Sequence, residues 1–126
     1  MTDSVPLKFR CHDRYLTLLK GRKLTRSNIK ALIAEAQKRN KIVDLSGRNL
    51  SRLDLSKFNL GRADLSNADL SNSNISNSTL FDVNLSGSNL SNVDFSNTDL
   101  SYSKLTKAKI VGVILFNTVL FRTVLP

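Results

Sequence analysis

From residue 45 to the end of this chain an apolar side chain returns at every fifth position. The row runs Leu45, Leu50, Leu55, Leu60, Leu65, Leu70, Ile75, Leu80, Leu85, Leu90, Phe95, Leu100, Leu105, Ile110, Leu115, Leu120 and Leu125, seventeen hits in a chain of 126 residues. The residue before each is Asp or Asn in eleven of the first twelve units, and Ser usually follows. A period of five fits neither an α-helix nor a flat strand. On a helix each step would turn the side chain by about 140° and scatter the row over every face. The row stays on one side only if the chain turns a corner every five residues. Four corners close a square coil in which residue n stacks over residue n+20, at the spacing of about 4.8 Å that hydrogen-bonded strands keep. Residues 43–126 make just over four such coils.

Over residues 44–78 the units read DLSGR-NLSRL-DLSKF-NLGRA-DLSNA-DLSNS-NISNS. This resembles the pentapeptide-repeat proteins, whose consensus is A(D/N)LXX, and the resemblance covers residues 43–126. It implies an all-β solenoid, a right-handed quadrilateral β-helix, commonly entered by a short N-terminal α-helical cap. In that fold the centre residue and the residue two before it face inward, and the other three face outward. The inward pre-positions fit a narrow filled interior, since most are small: Ala63, Ala68, Ser73, Ser78, Val83, Ser88, Val93, Thr98, Ser103, Ala108 and Val113. The first coil departs from this, with Arg48, Leu53 and Phe58 in the same column. These are too large for the tunnel, so the first coil is expected to flare at an open end.

Three segments follow: a basic N-terminal segment over 1–24, a capping helix within 25–42, and the repeat over 43–126. In the first, Asp13 is placed to cap a helix over 14–20 with Gly21 as its stop, while alternation through Leu7, Phe9 and Cys11 would suit a short strand. In the second, Ile29, Leu32, Ile33 and Ala36 fall on one helical stripe, which predicts a helix over 27–40. Ser27 is its expected N-cap, Glu35 and Arg39 form an i,i+4 pair, and Asn40 suits the left-handed position at its end. A solenoid end exposes apolar core and unpaired backbone, so the stripe is expected to cover the first coil.

Charge is unevenly spread. The chain carries +9. Residues 1–42 hold eleven Lys/Arg against Asp3, Asp13 and Glu35, a formal +8, while residues 43–126 hold eight against seven, a formal +1. A start without a basic and then apolar leader predicts a cytoplasmic protein, although a secreted effector is compatible with it. The apolar stretch Ile110–Phe116 is too short to span a bilayer, which needs about 20 residues.

The sequence offers little for catalysis or cofactors. Cys11 and His12 are the only Cys and His, so neither a triad nor a zinc site can be assembled. The repeated Asp residues have no calcium-loop spacing and read as turn formers that bond the backbone. No metal or cofactor is expected, and the chain reads as non-enzymatic.

Binding surfaces are expected at the two ends. Arg48, Arg52, Lys57 and Arg62 ring the first coil as a basic collar beside the basic head, able to meet an acidic protein, nucleic acid or an anionic membrane. In the last coils the outward positions turn apolar: Ile114, Phe116, Val119, Phe121 and Val124. Such a patch predicts a homodimer interface; cover by residues 1–24, or contact with a membrane aided by Lys104, Lys107 and Lys109, are the other readings. The role predicted is a protein-binding scaffold, with a basic nucleic-acid- or membrane-binding module as the alternative. The resemblance also brings in family members that mimic DNA towards gyrase. Mimicry requires an acidic rod, which this charge distribution opposes.

Overall fold

The computed structural model describes residues 22–126. Its repeat is a stack of square coils. Parallel bridges join each unit to the one twenty residues on, from Asp44 with Asp64 through to Lys104 with Val124. Three backbone bonds recur at each rung. The Leu45 N–H donates to the Asp64 carbonyl at 2.8 Å, the Gly47 N–H to the Ser66 carbonyl at 2.8 Å, and the Asp64 N–H back to the Val43 carbonyl at 2.9 Å. Each contact is brief because a corner intervenes on either side.

The corners explain the polar part of the repeat. The Asp44 carboxylate accepts from the Ser46 N–H at 3.1 Å and from its hydroxyl at 2.7 Å, and the same pairing recurs at Asn49 with Ser51 and at Asp69 with Ser71. This Asx bond turns the chain without help from a second segment. The residue two after each central apolar residue then adopts the left-handed conformation, as in Asn67 (φ 57°), Asn72 (φ 60°) and Gly87 (φ 70°). Asn and Gly enter that region with least strain, which is why they dominate this column. Arg52, Lys57, Arg62, Asp82, Tyr102, Lys107 and Arg122 adopt it too.

Inside, the row from Leu45 to Leu100 is no more than 1% exposed. Each such side chain contributes roughly 1.5–3 kcal/mol before entropy is charged against it. The small column beside it is buried from Ala63 to Ala108. Its hydroxyls are satisfied by the coil itself: Ser73 donates to the Leu70 carbonyl at 2.6 Å, Ser88 to Leu85 at 2.7 Å, and Ser103 to Leu100 at 2.6 Å. Ser78 and Thr98 reach instead to the coil before, at Leu55 and Ile75. Polar atoms in a closed interior are tolerated on that condition. In the first coil the same column is half-buried at Arg48, Leu53 and Phe58, and the last two pack against the core.

One helix precedes the coils, α1 (Arg26–Lys38). It begins one residue earlier than its stripe predicts, and its N-cap is Thr25 rather than Ser27. The reason is a reciprocal bond: the Thr25 hydroxyl accepts from the Asn28 N–H at 3.2 Å, and the Asn28 side chain accepts from the Thr25 N–H at 2.9 Å. Asn28 takes the place that Glu or Gln usually fills in such a box. Asn40 does take the left-handed position (φ 52°), and Glu35 pairs with Arg39 at 3.6 Å. Ile29, Leu32, Ile33 and Ala36 are buried, and with Leu24 they form one continuous cluster with the coil core.

The ladder also decides what the segment around α1 bonds to. In later coils the carbonyls of the Asp/Asn and Ser positions accept from the coil before. In the first coil they have no earlier coil to serve. Arg26 donates to the Asp54 carbonyl at 2.6 Å and the Ser56 carbonyl at 3.0 Å, and the Lys23 ammonium donates to the Ser51 carbonyl. Arg26 also lies over the Phe58 ring, 4.2 Å from its centroid, and pairs with the Asp54 carboxylate at 3.6 Å. Arg26→Ala is expected to lower stability by about 1–2 kcal/mol, the charge-assisted bonds being discounted for partial exposure. Urea denaturation measures this, and hydrogen exchange should show α1 amides losing more protection than those of the middle coils.

Candidate functional site

The middle of the rod is occupied with holding itself together. The Asp side chains of its turn column, Asp64, Asp69, Asp94 and Asp99, are taken by the neighbouring Ser of the same unit. The Ser56 hydroxyl, then its N–H, holds the Asp54 carboxyl below its usual value, and Ser71 does the same for Asp69. Hydrogen bonds of this kind favour the charged form of the carboxyl. No group of three His, Cys, Asp or Glu able to hold a metal occurs among the described residues. Cys11 and His12, the helix expected over 14–20 and the alternative strand through Cys11 all lie outside those residues. So does most of the segment considered as a cover for the apolar coils.

The two ends differ from the middle and from each other. At the N-terminal end, Arg52, Lys57 and Arg62 stand exposed at three successive corners, in the left-handed conformation (φ 60°, 62° and 65°), and Arg48 is half-buried in the column that later coils bury. The collar is therefore a perimeter, not a stripe. Beside it the end of α1 and the first coil enclose an open groove of ≈ 270 Å³, lined in part by Ile33, Lys41, Ile42, Asn59, Gly61 and Arg62. Its polar lining is backbone, amide and cation, with no carboxylate or nucleophile to perform acid–base or covalent chemistry.

At the other end the core row emerges. Leu105 is still buried, but Ile110, Leu115 and Leu125 are 42%, 43% and 56% exposed. Around them Ile114, Phe116, Val119, Phe121 and Val124 project from successive faces, 49–66% exposed. They replace Asp or Asn in the turn column and Ser in the next, as at Ile114 over Asp94 and Val119 over Asp99. One corner extends the apolar surface down the rod. Phe81, Tyr102 and Phe121 form an edge-to-face ladder with centroids 5.3 and 5.6 Å apart. The alignment of Phe81 with Phe121 is visible in the spacing, but Tyr102 is not, because it sits one column over. Ser101, beside it in the column of Phe81 and Phe121, is buried. Arg122 flanks the ladder, 5.5 Å from the Phe121 centroid.

No helix among the described residues is long and apolar enough to cross a membrane.

Comparison with known proteins bears on the fold. No curated protein matches the chain. Three similar solved structures are cyanobacterial pentapeptide repeat proteins. The protein alr5209 from Nostoc PCC 7120 is 25% identical over 66% of this chain and 72% of its own, with a TM-score of 0.40. Rfr23 from Cyanothece 51142 is 27% identical over 67% of this chain and 65% of its own, with a TM-score of 0.29. HetL from Nostoc sp. strain PCC 7120 is 26% identical over 66% of this chain and 45% of its own, with a TM-score of 0.32. Residues 44–80 and 80–115 match the Pentapeptide repeats family in eight copies. That match spans the coils whose Asx corners, stacked leucines and twenty-residue register are described above, and the chain belongs to the pentapeptide-repeat family, whose fold is the right-handed quadrilateral β-helix.

Proposed function

We propose that this chain is a non-enzymatic scaffold that acts by contact, and that it pairs with a second copy through its C-terminal coils. The observation that carries the reading is the exposure of Ile114, Phe116, Val119, Phe121 and Val124 around an emerging core row. Contiguous apolar surface of this kind on a small domain meets a partner, and a self-complementary patch is the commonest solution. In the same reading α1 is the cap of the first coil: it buries its apolar stripe there while the residues around it satisfy the edge carbonyls. The chain is thus closed at one end and adhesive at the other.

The parent is expected to sediment as a dimer. Phe116→Glu combined with Phe121→Glu should give a monomer that keeps its circular dichroism spectrum, since both side chains point away from the interior. A parent that sediments as a monomer would refute the pairing. Parent protein that instead floats with anionic vesicles, losing this on Lys104→Gln with Lys107→Gln and Lys109→Gln, would assign the patch to a membrane surface.

A further inference from the structure

We propose that the basic end of the rod, α1 with the first coil, docks without sequence preference on the phosphate backbone of double-stranded nucleic acid. The structure sharpens the charge asymmetry. Residues 22–62 hold eleven Lys/Arg against three Asp/Glu, a formal +8, while residues 63–126 hold four against five, a formal −1. The three acidic groups of the basic half are already engaged. Asp54 pairs with Arg26, Glu35 pairs with Arg39, and Asp44 accepts from Ser46. Lys30, Lys38 and Lys41 stand exposed along and just beyond α1, and Arg52, Lys57 and Arg62 stand exposed around the coil beneath it. Two of the three acidic groups are thus paired with Arg26 and Arg39, and Asp54 also acts on Lys57, which leaves this half strongly positive.

The chemistry of the surface selects among polyanions. Single strands are held by exposed aromatic rings that stack on bases. Here the aromatic of the basic half, Phe58, is half-buried with the Arg26 guanidinium over its ring, and the exposed aromatic side chains, Phe81, Tyr102, Phe116 and Phe121, belong to later coils. Membrane-surface binding draws on inserted apolar side chains as well as charge. In the basic half Ile42 is the one large apolar residue that stands exposed among the described residues. What remains is an array of cations on a rigid support, which matches the regular charge of a duplex backbone and reads no bases.

The corner residues also permit a clean test. Arg52 and Lys57 stack beneath Asn72 and Asn77, and all four are left-handed. Arg52→Asn, Lys57→Asn and Arg62→Asn therefore remove charge without straining the turn. Lys30→Gln, Lys38→Gln and Lys41→Gln do the same for the exposed positions on and after α1. Binding of the full chain to a labelled mixed-sequence duplex of about 30 base pairs is followed by fluorescence anisotropy. The affinity is expected to fall steeply between roughly 50 and 200 mM salt, with a slope set by how many of these cations one duplex reaches. The sixfold variant, shown by its melting curve to be folded, should lose binding, and each three-residue variant should flatten the salt dependence. The proposal is overturned if the parent does not bind the duplex, if its affinity is indifferent to salt, or if the folded sixfold variant binds like the parent. Tighter binding to single strands, or to anionic phospholipid vesicles at equal salt, overturns it as well. This end lies away from the C-terminal coils, so sedimentation of the sixfold variant separates a loss of duplex binding from a loss of pairing.

Discussion

Ala68→Arg is expected to abolish cooperative folding, or to lower stability by at least about 4 kcal/mol where folding survives. Ala68 is buried in the small inward column, 1% exposed, between Leu65 and Leu70. An arginine there would need room that a close-packed interior does not have. It would also place a charge among leucines without a counter-ion, and such a charge costs several kcal/mol. The informative control is in the same column one coil earlier, where the chain already carries Arg48, half-buried. Arg48→Ala should cost far less. Thermal and urea denaturation followed by circular dichroism report both. An Ala68→Arg protein melting with the parent would mean that the tunnel is not closed at the second coil.

The second large effect is expected at Phe95, the only aromatic residue in the central row, which is 1% exposed. Its ring sits between the coil levels of Ile75 and Leu115, and its carbonyl accepts from the Thr118 hydroxyl at 2.8 Å. Phe95→Ala removes most of a ring from a rigid interior and should cost about 3–5 kcal/mol. Phe95→Leu, which restores the commonest residue of the row, should cost about 1–2 kcal/mol. The midpoints of urea unfolding separate the two. A Phe95→Ala loss of less than the Leu variant is expected to show would indicate that Leu115 and Val113 collapse into the space. The loose, partly exposed last coil makes that alternative concrete.

These effects are unequal along a row of near-identical units because the ends and the middle have different neighbours. In the middle each coil has one above and one below. A centre residue then meets only other centre residues and small side chains, and all three ladder bonds are made. At the first coil the neighbour is a helix. At the last described coil the row is exposed and its turn columns have become apolar. Functional surface is therefore argued from the ends, where side chains are released from forming turns.

Much of this was legible in the residues. The five-residue period requires a corner per unit, and the large/small alternation of inward columns requires a narrow interior. Arg48, Leu53 and Phe58 break that alternation visibly, and there the column is half-buried instead of buried. The exposure of Phe116 and Phe121 could be anticipated, since they occupy outward columns. Other features were hidden for identifiable reasons. Thr25 is hidden as an N-cap because its partner Asn28 is not the usual Glu or Gln. Tyr102 is hidden because the ladder it completes crosses columns. The left-handed backbone at Arg52, Lys57 and Arg62 follows from the corner and not from residues that are themselves suited to it.

By itself the sequence determined the coil: its length, its inward and outward columns, and the Asx bond that turns each corner. These depend on contacts within a unit or at a fixed offset of twenty residues, so a strict repeat encodes them. Only the tertiary structure decided which unit ends the stack and what meets it there. Arg26 reaching the carbonyls of Asp54 and Ser56 has no periodic signature. That contact exists because an edge strand leaves carbonyls without partners and a docked helix happens to hold a guanidinium over them. The same physics leaves an arginine tolerable at residue 48 and predicts failure at residue 68, since one is half-buried in the first coil and the other buried inside the stack.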